Sequence, residues 1–145
     1  MLDYTLSIER SVIVTELSTR ILIVDDEPSI RGSLSAYLED FGYNIQTAES
    51  AEVALEIIDK NTFDIAVVDL RLPIMSGDAL ILEIHKKYPD ILFLIHTGSV
   101  DYKLSEDLIN IGILPEHILL KPLRSLNNLI ESIKGIIVEK ADSNG

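Results

Sequence analysis

The chain has 145 residues, 47% of them hydrophobic, enough for one domain with a buried core. Its 12 Lys and Arg against 24 Asp and Glu leave a net charge of −12, which argues against direct nucleic-acid binding and against an anionic membrane surface. Cysteine is absent, which excludes a disulfide framework, a thiolate metal site and thiol chemistry.

Residues 1–19 have mixed character and read as a leader, either an extra helix or a disordered arm. They lack the basic start and apolar stretch of a signal peptide, and no apolar run in the chain approaches a membrane span. A cytoplasmic protein with no membrane partner is expected. The run ILIV at 21–24 is short and apolar, as a buried strand is, and ends in Asp25 and Asp26. Ile30, Leu34, Tyr37, Leu38 and Phe41 then share one helical face, with Pro28 suited to the first turn and Gly42 to the end. Residues 43–47 alternate apolar and polar side chains, the pattern of an edge strand. Ser50 stands where a cap is needed, before a helix with Ala51, Ala54, Leu55 and Ile58 inward.

FDIAVVDL, 63–70, predicts a strand covered on both faces. Pro73 and Gly77 mark a turn into a helix carrying Leu80, Ile81, Ile84 and Tyr88, stopped by Pro89. ILFLIHTGS, 91–99, is a fourth strand, and Leu104, Leu108 and Ile111 mark a shorter helix ending near Gly112. HILLKP, 117–122, is a fifth strand. The final helix is expected from about Leu123 to Glu139, with Leu126, Leu129, Ile130, Ile133 and Ile137 inward and ADSNG as a frayed tail. Five strands alternating with five helices imply an α/β fold around a central parallel sheet.

Ligands of an open parallel sheet bind outside the carboxyl ends of its strands. That rule brings Asp25 and Asp26 from strand one, Asp69 from strand three, Thr97 from strand four and Lys121 from strand five to one rim. Each has a plain reading alone: Asp25 and Asp26 as a helix cap, Thr97 in a turn with Gly98, Asp69 and Lys121 as solvated strand ends. Their convergence favours function. Three carboxylates at one rim repel unless a cation joins them, and all-oxygen ligands favour Mg²⁺ or a similar hard ion.

With VDD after strand one, DLRLPIMSG from Asp69 to Gly77, HTG closing strand four and LKP closing strand five, the chain resembles the receiver domain of two-component response regulators. The resemblance covers about residues 20–140. It implies a doubly wound, five-stranded parallel sheet in the flavodoxin-like order 2-1-3-4-5, with helices on both faces. It also implies that Asp69 is the phosphoacceptor. Asp26 and Asp69 would bind Mg²⁺ directly with the main-chain carbonyl of Arg71, and Asp25 would hold a metal-bound water. Lys121 would pair first with the carboxylate and then with the phosphoryl oxygens, and Thr97 would move inward to bond the phosphoryl group. The donor would be the phosphohistidine of a sensor histidine kinase or phosphotransfer protein. The domain would switch protein contacts with a downstream target, or form a homodimer, and would not be an enzyme beyond its own slow dephosphorylation.

The chain departs from the family at Ile118, where members usually carry a Tyr or Phe that swings inward with the Thr. Pro115 and the segment NIGILPEHILL also replace the usual short connection. These departures keep open an alternative: a degenerate receiver acting as a phosphate-independent interaction module. Arg71 and Ser99 flank the acceptor and are candidates to tune phosphate lifetime. Enzymes of the haloacid-dehalogenase type place their nucleophile on the first strand as D-x-D, which this chain lacks. Neither nucleotide-binding glycine motif occurs. His85, His96 and His117 read as packing residues, and Ile136, Ile137 and Val138 as core with a self-association surface as the alternative.

Overall fold

A computed structural model describes residues 19–144, so the leader reading and Gly145 lie outside the described residues. The strands are β1 (Arg20–Val24), β2 (Asn44–Ala48), β3 (Ile65–Val68), β4 (Leu92–Thr97) and β5 (Ile118–Leu120). Between and after them run α1 (Pro28–Asp40), α2 (Ala51–Lys60), α3 (Gly77–Lys87), α4 (Glu106–Asn110) and α5 (Asn127–Asn144), with a 3₁₀ turn at Pro115–His117. All neighbouring strands are parallel, in the order β2-β1-β3-β4-β5. The order reverses beside β1, and there the crevice between β1 and β3 opens.

Alternation along the central strands divides the core in two. Leu22, Val24, Ala66, Val68, Phe93 and Ile95 face one side, with side chains of α2, α3 and α4 packed on them. Ile21, Ile23, Ile65, Val67 and Leu94 face the other, under Leu34 and Leu38 of α1 and Leu129, Ile130, Ile133 and Ile136 of α5. Strands covered on both sides read as unbroken apolar runs, and each fully buried Leu or Ile contributes about 2 kcal/mol. Ser50 caps α2 as expected, its hydroxyl accepting from the Val53 N–H.

Three expectations are corrected. The last helix starts at Asn127, not near Leu123, because Ser125 first closes a turn in which its hydroxyl accepts the Asn127 N–H. That helix runs on to Asn144, through most of ADSNG, since neither Pro nor Gly intervenes before Gly145. His117 lies in the 3₁₀ turn, and β5 begins after it. Ile136 is core, Ile137 packs partly against it and Val138 is exposed. No helix of the described residues is long and apolar enough to cross a membrane.

Candidate functional site

The site grows from three strand ends held by main-chain bonds that carry the sheet ladder one step further. The Asp25 N–H donates to the Ala48 carbonyl (3.1 Å), the Asp69 N–H to Val24 (2.9 Å) and the Lys121 N–H to Thr97 (2.8 Å). Val24 pairs with Val68 and Val68 with Ile95. One residue on, Asp25, Asp69 and His96 therefore stand in one row. The residues two back, Ile23, Val67 and Leu94, all belong to the core under α1 and α5. Strand alternation turns the row to that same side.

Lys121 is the positive charge at the end of β1. Its Nζ donates to Asp25 Oδ2 at 2.8 Å, Asp69 Oδ2 at 3.2 Å and Glu27 Oε1 at 3.5 Å. Asp25 and Asp69 are only 1% and 4% exposed. The remaining oxygens have main-chain partners: Asp25 Oδ1 accepts the Glu27 N–H (2.9 Å) and Asp69 Oδ1 the Arg71 N–H (3.2 Å). Burial holds the Asp69 carboxyl above the ordinary aspartate range, against the pull of the Arg71 N–H and Lys121. Burial by itself would lower the Lys121 ammonium, but Asp25 and Asp69 together carry it upward, so it stays charged.

Arg31 adds a second cation here, its Nη1 donating to the Asp25 carbonyl at 2.8 Å, yet one ammonium and one guanidinium do not balance four carboxylates. Asp25, Asp26, Glu27 and Asp69 each offer an oxygen, all within 4.8 Å of one another. Hard, negatively charged oxygens at that spacing fit Mg²⁺ or a similar dication. Asp26 is exposed at the mouth, and Arg71, also exposed, meets Asp69 through its main-chain N–H. Glu27 is the member that motif reasoning missed; the third acid of DDE was its signal. Neither Asp25 nor Asp26 caps α1, whose N-cap is Glu27 with no side-chain cap bond.

The segment from Asp69 to Gly77 is tightly drawn. A Cβ on Gly77 would lie 2.3 Å from the Asp69 carbonyl oxygen, so only glycine lets α3 start against the backbone of Asp69. Ile74 is the centre of a γ-turn, with φ +69° and the Met75 N–H on the Pro73 carbonyl. A β-branched residue resists that conformation, and this one is 97% exposed.

Thr97, at the end of β4, is fully buried and its Oγ1 accepts the Ser99 N–H at 3.1 Å. His85 is half-buried on α3. His96 is buried with neither ring nitrogen hydrogen-bonded among the described residues, and burial with nearby Lys121 lowers it from 6.5 to about 4. His117 forms a second cluster with Glu116 and Glu139. Its Nδ1 accepts the Leu114 N–H, which puts the proton on Nε2, where it donates to Glu139. That nitrogen is therefore occupied, and the cluster reads as a clasp between the 3₁₀ turn and α5.

The model for the family described as "Response regulator receiver domain" matches residues 21–134. The chain belongs to that family. This receiver domain is 33% identical over 130 residues to sensor kinase CckA of Brucella abortus, a match covering 86% of this chain and 13% of that protein. It thus spans only a small part of that curated relative. The CheY-like receiver domain protein of Methanospirillum hungatei superposes with TM-score 0.74 at 31% identity, covering 87% of this chain and 98% of the other. TrrA of Thermotoga maritima, solved in complex with Mg²⁺-BeF, gives TM-score 0.70 at 32% identity, covering 81% and 97%. Receiver domains of this family are signalling domains of two-component systems.

Proposed function

We propose that this receiver domain accepts a phosphoryl group on Asp69 from the phosphohistidine of a partner kinase or phosphotransfer protein, in the presence of Mg²⁺, and so switches its contacts with other proteins. The observation that carries this is the three-strand convergence of Asp25, Asp69 and Lys121, with Nζ within 3.2 Å of both carboxylates. A lone pair of an Asp69 oxygen forms the new O–P bond as the P–N bond breaks, and the departing electron pair goes to the imidazole nitrogen. Lys121, already shared with Asp69, is placed to neutralise charge on the phosphoryl oxygens. Asp26, Asp69 and the Arg71 carbonyl would hold the dication directly, with Asp25 outside them. Once bound, the ion supplies charge neutralisation and orientation of the phosphoryl group. Thr97 would bond a phosphoryl oxygen by turning its hydroxyl inward.

The test is intact mass after incubation with a small acyl phosphate and Mg²⁺. The parent chain gains one phosphoryl group and Asp69→Asn gains none; label that persists in Asp69→Asn moves the acceptor elsewhere. The phosphate-independent alternative rests on Ile118, and an unlabelled parent chain would favour it.

A further inference from the structure

With Ile118 in β5, this domain has no ring at the position where members of its family usually carry one, yet a ring stands beside it. Tyr102, in the loop between β4 and α4, packs partly buried on the same core as Ile118. It also lines a groove of about 370 Å³ together with Leu104, Ile109, Ile113, Leu114 and Ile118.

Its connections lead one way to Thr97 and the other way to the backbone of Asp69. The Thr97 hydroxyl accepts the Ser99 N–H at 3.1 Å, and the Ser99 carbonyl accepts the Tyr102 N–H at 3.3 Å. From the ring, the phenol lies 3.4 Å from both carboxylate oxygens of Asp78. Asp78 follows Gly77, the residue whose backbone abuts that of Asp69. One line of contacts results, running Asp69, Gly77, Asp78, Tyr102, Ser99, Thr97. We propose that Tyr102 does the work of the absent strand-five ring: it latches the β4–α4 loop to α3 through Asp78, and phosphorylation of Asp69 releases it.

This inference rests on the phosphoacceptor reading. Thr97 is completely buried, so it cannot move toward a phosphoryl group without drawing Ser99 and the loop behind it. The phenol contact is long for an O–H···O bond and therefore weak, and a small shift of the loop ends it. Burial first, then Asp78, pushes the phenol up to about 12, which keeps it a proton donor at neutral pH. Burial raises Asp78 as well, with Tyr102 pulling the other way. Release frees the ring from its place on the core and changes the wall of the groove that it shares with Ile118, so the state of Asp69 becomes readable on the α4–β5 side.

Amide hydrogen exchange across residues 98–118, run beside intact mass, tests the latch. In the parent chain, loading with acyl phosphate and Mg²⁺ lowers protection there by about fivefold, the worth of one modest hydrogen bond. Tyr102→Phe keeps the ring but starts at the lowered level and changes no further on loading, while loading itself proceeds at the parent rate. Tyr88→Phe, which loses a phenol bond to Asp59 elsewhere, responds like the parent. A Tyr102→Phe chain that keeps the parent's full response overturns the latch, as does a labelled parent with no response in this segment. A parent chain that takes up no label removes the phosphoacceptor reading and this one with it.

Discussion

Asp69 sits in an environment that resists its charge. Burial sets its carboxyl above the ordinary range despite Arg71 and Lys121, so the folded chain carries a penalty for ionising it. The penalty is absent in acid and grows as pH rises through the raised value. Asp69→Asn should therefore be more stable than the parent at neutral pH, with a higher midpoint in urea unfolding; an equal or lower midpoint would mean that Lys121 and Arg71 outweigh burial. His96 gives the opposite slope. Its folded value lies at about 4 against 6.5, so its stability contribution is full above 6.5 and drains away as pH falls toward 4. His96→Leu should remove that loss, leaving the parent about 3 kcal/mol more acid-sensitive across the window; parallel pH profiles would contradict it. Asp25, Asp26, Asp69, Thr97 and Lys121 were legible in sequence because each sits at the carboxyl end of an apolar strand. His96 was not, since a strand period shows which face a residue takes but not whether a partner waits there.

Element boundaries show where sequence reasoning loses its grip. Period and caps located each strand and α-helix of the described residues, and Ser50 fixed the start of α2. The end of α5 went astray because polar residues suggested fraying where no breaker stood. The start of α5 went astray because the turn closed by Ser125 has no hydrophobic signature. DLRLPIMSG announced a turn, yet the contact that makes its glycine obligatory crosses from α3 to β3 and is invisible along the chain. Gly77→Ala tests that contact. Its new Cβ, 2.3 Å from the Asp69 carbonyl oxygen and 2.7 Å from the Leu70 Cα, must displace the backbone of Asp69 and Leu70. The expected result is a loss of about 2 kcal/mol in unfolding free energy and slower phosphoryl loading by intact mass. Parent-like stability and loading together would show that α3 can retreat freely.

At the scale of the whole molecule, a net charge of −12 makes general salt effects easy to mistake for a site. The cluster of Asp25, Asp26, Glu27 and Asp69 predicts something more specific. Mg²⁺ at about 100 times its dissociation constant should stabilise the fold by about 2.7 kcal/mol, a gain lost with chelator. Asp26→Ala should abolish most of that gain, and sodium chloride at equal ionic strength should not reproduce it. If the variant and parent gained equally, the effect would be surface screening. The near-complete burial of Asp69 also limits the shape of whatever approaches it. A flat surface laid across the rim would stop short of a carboxylate sunk this deep. A slender protrusion would get through, such as a free acyl phosphate or a single side chain standing out from a convex helix, so under the proposed phosphoacceptor role the entrance itself would act as a first filter on donors.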